Sequence, residues 1–291
     1  MGGRRAGLPF DGTPGLAHRR VGRATVTVEV VHWNPPRPVF SGRMGRLIPV
    51  KRPIGNFGDL LGPMIVERMR ERLGLAVAVG LPDRRLLSVG SILHYARNFD
   101  VVWGSGINGK VEPQWGCIDT LDIRAVRGPR TRARLIENGF AVPEVYGDPA
   151  LLVPELFPEL ADWAAEPKRY PLTIIPNLHD LAELRGRPNV ISPRAPVWRV
   201  LERIARSELV VGSSLHGIIV AEALGVPARL VAPAREDLMK YRDYFEATGR
   251  DVLPLALTVD AAITAGGAMG LIWNPAPLRD AFPADLWPSA L

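Results

Sequence analysis

LVVGSSLHGIIVAEALGVPARLV, residues 209–231, carries the strongest fold signal in the chain. Its apolar run Leu209–Val211 predicts a strand, Gly217–Leu224 predicts a helix, and Arg229–Val231 predicts a second strand. Gly225 is a natural helix stop. Two strands joined by a crossover helix of this length are typical of a parallel sheet.

Short apolar runs alternate with helical patterns along the rest of the chain. Strands are predicted at Thr25–Val31, Leu86–Val89, Val101–Trp103, Ile123–Val126, Val145–Tyr146, Leu172–Ile175 and Asn189–Ile191. Helices are predicted around 61–73, at 129–138 and over 197–205, whereas 35–58 is predicted to be a loop that feeds a helix. The alternation indicates an α/β chain built from two successive halves of similar size.

Length and proline content indicate how the two halves are divided. The 291 residues suggest about two compact units, at roughly 150 residues each. Pro154–Pro171 holds four prolines and is the predicted boundary between an N-terminal domain at 25–160 and a C-terminal domain at 168–270. Residues 1–24 are expected to be a disordered leader, and 271–291 a C-terminal tail that could pack back on the N-terminal domain.

The charge balance and the single cysteine narrow the classes of protein. The chain has 36 lysines and arginines against 30 acidic residues, and only four of the 36 are lysines. This balance fits an anionic small molecule, a nucleic acid or an anionic membrane as partner. Cys117 alone excludes an intramolecular disulfide framework and a cysteine zinc site. Polar residues interrupt Leu209–Ala232, so no transmembrane helix is expected, and the start lacks the apolar core of a secretory signal.

A glycine-rich motif, GSGINGK at Gly104–Lys110, follows a predicted strand. It matches two nucleotide-binding patterns and fits the context of neither, because position 111 is valine and Pro113 opposes the helix that both patterns need. We interpret it as a turn where a ligand or another loop approaches the backbone closely, with Gly104 and Ser105 as candidate substrate contacts.

The junction between strand and helix at 211–217 combines an anion site with a proton donor. Ser213 or Ser214 can cap the helix, which leaves its first N–H groups free to bind an anion. His216 lies in or near the first helical turn, where it can exchange a proton with a bound ligand.

Two further junctions carry candidate binding groups. Arg127 stands in a loop before Pro129, near a helix N-terminus that favours anions. GNFGD at Gly55–Asp59 precedes the first long helix, and Asp59 fits either a helix cap or a ligand contact at the carboxyl end of a strand.

Taken in order, these motifs resemble the polysaccharide pyruvyl transferases, in particular the branch acting in bacterial exopolysaccharide synthesis. The matching segments are GNFGDLLGP (55–63), VVWGSG (101–106), AVRGPRTRARL (125–135), YGDPALL (146–152), SSLHGIIVAEALGVP (213–227) and KYRDYF (240–245). The resemblance implies two Rossmann-like domains in a GT-B-like architecture. It also implies transfer of the enolpyruvyl skeleton of phosphoenolpyruvate onto two hydroxyls of one sugar, which forms a cyclic pyruvate ketal and releases phosphate without a cofactor or a metal.

The resemblance assigns roles to individual residues. His216 would be the general acid and Arg127 a phosphoenolpyruvate ligand. Asn56 and Asp59 would line the cleft from the first domain, and Lys240 would be a further anion contact. Many relatives carry an arginine at the position of Ser214, so either this serine with the helix N-terminus holds the phosphate or a nearby cation does, namely Arg229, Lys240 or Arg242.

Two other functions fit parts of the sequence. Glu222–Pro227 also resembles the acidic segment with which GT-B-type glycosyltransferases contact a nucleotide sugar, and the basic charge also fits a nucleic-acid-binding protein. We expect phosphoenolpyruvate and a sugar acceptor, free or lipid-linked, as partners, with no nucleic acid. At most peripheral membrane contact is expected, with the protein in the cytoplasm or at the inner face of the membrane. No motif identifies the acceptor sugar or the oligomeric state.

Overall fold

The computed structural model describes residues 28–38, 50–76 and 84–288. The expected leader at 1–24 lies outside these ranges, as does the beginning of the strand predicted at Thr25–Val31. The described residues form a mixed α/β structure with two parallel sheets, one antiparallel ribbon and nine α-helices.

The elements are numbered in chain order. The strands are β1 (Glu29–Val31), β2 (Pro36–Pro38), β3 (Lys51–Pro53), β4 (Arg85–Leu87), β5 (Val101–Trp103), β6 (Asp122–Ala125), β7 (Thr173–Ile174), β8 (Val210–Gly212), β9 (Ala228–Val231) and β10 (Leu255–Ala256). The helices are α1 (Phe57–Arg72), α2 (Pro129–Glu137), α3 (Val153–Leu156), α4 (Pro158–Ala165), α5 (Val197–Ala205), α6 (Leu215–Ala223), α7 (Met239–Ala247), α8 (Val259–Ala265) and α9 (Ala276–Asp280).

Each half of the chain contributes one four-stranded parallel sheet. The spatial orders are β1-β4-β5-β6 and β10-β9-β8-β7. Single parallel bridges from Val126 to Tyr146 and from Ile174 to Val190 extend the two sheets, so the strands predicted at 145–146 and 189–191 are reduced to bridges. The prediction of a continuous loop over 35–58 is wrong, because β2 and β3 pair as an exposed ribbon there. Prolines are tolerated in such an exposed two-stranded edge.

Apolar side chains alternate between the two faces of each sheet. Leu86 belongs to a large core shared by both halves, whereas Leu87 belongs to a smaller core of the N-terminal half. In the same way, Val210 contributes to the shared core and Val211 to a smaller core of the C-terminal half. This period of two follows from the pleat, and it covers both faces as parallel sheets require.

The shared core and the chain terminus join the two halves. The segment predicted as a boundary is largely helical, and Leu156 and Leu160 on α3 and α4 are buried in the shared core. The C-terminal segment packs on the N-terminal half. There the indole N–H of Trp103 donates to the carbonyl of Leu278 at 2.8 Å, and the ring of Phe282 meets that of Trp103 edge-on with centroids 5.0 Å apart.

Candidate active site

A cavity of about 380 Å³ lies where the two halves meet. Its wall includes five of the predicted site residues, namely Asn56, Asp59, Ser214, His216 and Lys240. Lys110, Asn177 and Glu236 also belong to its polar lining. These last three follow β5, β7 and β9, so the cavity lies at the carboxyl ends of strands from both sheets, where open α/β folds bind ligands.

His216 reaches the cavity from the first turn of α6. Ser214 is the N-cap of this helix, and its hydroxyl accepts a hydrogen bond from the Gly217 N–H at 3.3 Å. His216 Nε2 lies 3.6 Å from Asp148 Oδ2, and within the described residues neither atom has a hydrogen-bond partner although both are buried. The helix N-terminus therefore presents an imidazole beside N–H groups that favour an anion.

A glycine on α1 makes room for this imidazole. A Cβ at Gly58 would lie 2.3 Å from His216 Nδ1 and 2.7 Å from its Cγ, distances that no real side chain tolerates. Alanine is otherwise favoured over glycine inside a helix. A glycine at the second helical position of GNFGD is the signal that could have drawn attention to this contact.

Two lysines and one glutamate form the charged side of the cavity. Lys240 pairs with Glu236 on the same segment, and Lys110 reaches the other carboxylate oxygen of Glu236 from the N-terminal half at 3.5 Å. Burial lowers the pKa of Lys240, although its bond to Glu236 opposes the shift. For Glu236, burial favours the neutral acid, but Lys240, Lys110 and His179 outweigh it and hold the pKa below its ordinary value. Sequence reasoning missed Glu236.

Asp59 lies across the cavity on α1. Its carboxylate accepts a hydrogen bond from the side chain of Asn56 at 2.6 Å. Asn56 is the N-cap residue of α1, and no side chain in the described part of the chain caps this helix, so Asp59 is not a cap. Burial raises the pKa of Asp59, while the nearby His216 and the bond from Asn56 act in the opposite direction. A carboxylate of this kind can accept a proton from a bound hydroxyl.

The structure does not place Arg127 in the cavity wall. Its side chain is fully buried, and its Nε donates to Asp243 Oδ2 at 3.0 Å. Its terminal nitrogens donate to the hydroxyl of Ser91 at 2.5 Å and to the carbonyl of Ile107 at 2.7 Å. Only Ser91 among these partners lines the cavity, so the guanidinium contacts the cavity wall from behind.

Glycines surround this buried arginine. A Cβ at Gly106 would lie 2.4 Å from Arg127 Cζ, and a Cβ at Gly128 would lie 2.0 Å from the carbonyl oxygen of Asp243. The motifs VVWGSG and AVRGPR therefore allow α7 and the guanidinium to approach the backbone closely.

The glycine-rich turn after β5 is also occupied by protein. Gly104 has a positive φ of 81°, and a Cβ there would lie 2.4 Å from Pro149 Cδ. The hydroxyl of Ser105 is buried and donates to the carbonyl of Gly90 at 3.0 Å. Of the two interpretations of this turn, the close approach of another loop is the one found, and neither residue lines the cavity.

Three more candidate contacts lie outside the cavity wall. The hydroxyl of Ser213 donates to buried Asp180 at 2.5 Å. Arg242 is exposed on α7. Arg229 donates to the carbonyl of Gly267 at 3.1 Å. Many relatives carry an arginine at position 214, and Arg229, Lys240 and Arg242 were the cations expected to replace it. Of these three, only Lys240 faces the cavity.

The acidic residue that resembles the nucleotide-sugar contact of glycosyltransferases, Glu222, lies outside the cavity wall. Glu222 is buried and accepts hydrogen bonds from the hydroxyl of Tyr244 at 2.6 Å and from Arg250 at 2.7 and 2.9 Å. Within the described ranges, no group of three or more His, Cys, Asp or Glu side chains is arranged to hold a metal ion. No helix of residues 28–38, 50–76 and 84–288 has the length and apolar character needed to cross a membrane.

Residues 26–235 match the family model described as polysaccharide pyruvyl transferase. The chain belongs to this family. It is 29% identical over 222 residues to the succinoglycan biosynthesis protein ExoV of Rhizobium meliloti (strain 1021), a match that covers 70% of this chain and 65% of ExoV, just under two thirds of its length. The crystal structure of an uncharacterized protein from Klebsiella pneumoniae subsp. pneumoniae NTUH-K2044 covers 80% of this chain and 94% of its own, with a TM-score of 0.49 and 12% identity.

Proposed function

We propose that this protein transfers pyruvate from phosphoenolpyruvate onto two hydroxyls of one sugar in a glycan or glycolipid, forming a cyclic pyruvate ketal and releasing phosphate. One observation carries the proposal: an imidazole at a helix N-terminus, His216, shares a cavity with two lysines, Lys110 and Lys240. Family membership supports pyruvate transfer onto polysaccharide.

Donor binding is assigned to the lysine side of the cavity. Phosphoenolpyruvate carries a phosphate and a carboxylate, and the ammonium groups of Lys110 and Lys240 together with the N-terminus of α6 favour such an anion. Both lysines already contact Glu236. A donor with two anionic groups competes with this carboxylate better than a donor with one.

His216 supplies the proton for the first step. It protonates the methylene carbon of the enol, and the adjacent carbon becomes an oxocarbenium-like centre that the first sugar hydroxyl attacks. A positioned acid of this kind contributes typically about 10²–10⁴-fold in rate. The lysines stabilise the negative charge that develops on the phosphate.

The second step closes the ketal. The bond between carbon and the phosphate oxygen breaks, and the second hydroxyl attacks the same carbon. Of the two hydroxyl protons, one restores the acid form of His216 and the other leaves with hydrogen phosphate, so the reaction needs no cofactor. Asp59, whose raised pKa suits a base, accepts a hydroxyl proton on the acceptor side before passing it on.

The same proposal includes the architecture and the setting of the enzyme. The two parallel sheets support two Rossmann-like domains in a GT-B-like arrangement, 25–160 on the acceptor side and 168–270 on the donor side, with Lys110 reaching the donor from the first domain. The acceptor is a free or lipid-linked sugar. The enzyme would act in the cytoplasm or at the inner face of the membrane, with peripheral contact at most.

The test offers phosphoenolpyruvate and nucleotide sugars separately to the purified protein, each with a glycan acceptor. We expect phosphate release only with phosphoenolpyruvate and acceptor together, and an acceptor whose mass grows by one pyruvate less one water. The His216→Ala variant is the matched control and should release little phosphate. Nucleotide release from a sugar donor, with no reaction of phosphoenolpyruvate, would show a glycosyltransferase instead.

A further inference from the structure

Two buried polar atoms, one from each half, face each other, and neither has a hydrogen-bond partner among the residues that the structure describes. They are Asp148 Oδ2, in the turn that precedes Pro149–Leu152, and His216 Nε2, on α6. The distance between them is 3.6 Å. Buried polar atoms in folded proteins nearly always have a hydrogen-bond partner, so an exception calls for an explanation.

The local fold does not require a carboxylate at position 148. Asp148 Oδ1 accepts a hydrogen bond from the Ala150 N–H at 3.0 Å and so caps the short helix that follows. Asparagine caps helices as well as aspartate does. A carboxylate that is 0% exposed is costly to bury unless its charge has a partner. The second oxygen therefore points to a role beyond the cap.

We propose that Asp148 is the positioning residue for the acid: its Oδ2 accepts the Nε2–H of His216, which leaves Nδ1 to carry the transferred proton. The proposal rests on the proposed function of His216. The imidazole side chain keeps 13% of its surface exposed although Nε2 is buried, so the exposed part of the ring excludes Nε2. Gly58, which has no side chain, lies beside Nδ1.

The arrangement couples the acid to the contact between the halves. Asp148 belongs to the N-terminal half and His216 to the C-terminal half. A hydrogen bond between a cationic N–H and a carboxylate is about 2.7–2.9 Å long, less than 1 Å shorter than the distance found. Phosphoenolpyruvate and the sugar acceptor, bound together, would bridge the cavity and shorten the distance between Asp148 Oδ2 and His216 Nε2. The shorter contact would hold the imidazole in one orientation and stabilise its protonated form.

The first test is the Asp148→Asn variant, assayed for phosphate release over a range of pH. We expect kcat to fall at least about tenfold while KM for phosphoenolpyruvate stays within about twofold, since an orienting carboxylate acts on the reacting state. Asp148 and Asp59 are the anions facing His216, and the other titratable groups of the wall are Lys110, Glu236, Lys240, His94, Tyr95 and His179. Because Asp148→Asn removes one of these two anions, the fall of kcat on the alkaline side of its pH profile should occur at lower pH.

The second test is nitrogen NMR of histidine-labelled protein without substrate. The wild type should show the Nε2–H tautomer of His216, and Asp148→Asn should show a mixture of tautomers. Because no reaction is needed, this result stands or falls separately from the activity with phosphoenolpyruvate. An Nδ1–H tautomer in the wild type would overturn the proposal even if the variant failed to fold.

The matched control is Asp100→Asn. Asp100 is a buried carboxylate that pairs with Arg85 at 2.8 Å and does not line the cavity. Its loss should leave kcat, the pH profile and the His216 tautomer unchanged. A folded Asp148→Asn enzyme with wild-type kcat and tautomer would also overturn the proposal.

Discussion

The two halves meet at two charged sites of opposite character. At one, the Arg127 guanidinium and the Asp243 carboxylate are both 0% exposed and lie 2.9 Å apart. At the other, Lys240 and Glu236 line the cavity, and their side chains keep 17% and 12% of their surface exposed. Arginine offers several donors in a rigid plane and suits fixed partners, whereas lysine is a single charge on a flexible stem and can change partners.

The contrast between arginine in fixed ion pairs and lysine at the cavity holds across the described residues. Two of the four lysines line the cavity, and none of the described arginines does. Arginines instead join segments of the fold, as Arg130 does with Glu246 and Arg250 with Glu222. Within the described residues, the basic side chains that line the cavity are therefore lysines and histidines, and arginines such as these pair with carboxylates elsewhere in the fold.

The largest effect is expected at the cavity, from His216→Ala. Turnover should fall by about 10²–10⁴-fold because the acid is lost, while the free energy of unfolding in urea changes little. His32→Ala, at an exposed histidine outside the cavity, is the control and should keep full turnover. Activity within tenfold of the wild type would remove His216 from the reaction.

Arg127→Met should lower the stability of the protein and leave donor binding unchanged, the reverse of the pattern expected for a cavity residue. Removing one partner of a buried ion pair leaves Asp243 uncompensated and should cost about 3–5 kcal/mol in the free energy of unfolding, measured by urea denaturation. Variant protein that remains folded should bind donor normally. A small loss of stability together with a large rise in KM for phosphoenolpyruvate would instead show that Arg127 is a donor ligand, as the family resemblance implies.

Lys240→Met should weaken donor binding and change stability less than Arg127→Met does, because Lys110 still contacts Glu236 in the variant. A hydrogen bond to a charged group is worth about 1.5–3 kcal/mol, so KM for phosphoenolpyruvate should rise roughly 10–100-fold. Arg242→Met, which removes an exposed cation two residues along the same helix, is the matched control. An equal rise in KM in both variants would mean that general positive charge, and not Lys240, attracts the donor.

Lys240 also predicts a pH dependence. Burial lowers its pKa, so the ammonium is lost at a lower pH than in a free lysine. Donor binding should therefore weaken as pH rises toward that pKa, and the Lys240→Met variant should lose this dependence. Binding titrations of phosphoenolpyruvate across alkaline pH measure it, and identical pH profiles for the two proteins would contradict the assignment.

The smallest effect is expected from Arg130→Gln. The Arg130–Glu246 pair joins the halves as the buried pair does, but 44% of the arginine side chain and 24% of the glutamate side chain are exposed. Exposed pairs are worth about 0.2–1 kcal/mol. A loss of unfolding free energy as large as that of Arg127→Met would show that burial does not distinguish the two pairs.

The features predicted correctly from sequence depend on local patterns. The unit at 209–231 forms β8, α6 and β9 within two residues of the expected bounds, because apolar periodicity and a capping serine act over a few neighbouring residues. Ser214 caps the helix, and His216 follows in its first turn for the same reason.

The features that sequence reasoning missed depend on distant partners. Asp243 lies 116 residues from Arg127, and no local pattern shows that α7 packs its carboxylate against that guanidinium. Two other contacts likewise depend on how the two halves pack. One places Asp148 opposite His216, and the other is the space that Gly58 leaves for the imidazole. The ribbon of β2 (PRP) and β3 (KRP) was missed because its sequence is rich in proline, which usually marks loops.

The most direct measurement is a crystal structure of the protein with phosphoenolpyruvate bound. We predict its phosphate within hydrogen-bond distance of Lys240 and the N-terminus of α6, with the enol methylene carbon next to the His216 ring and Arg127 still paired with Asp243. Phosphoenolpyruvate bound directly to Arg127, with Lys240 still held by Glu236, would contradict this account.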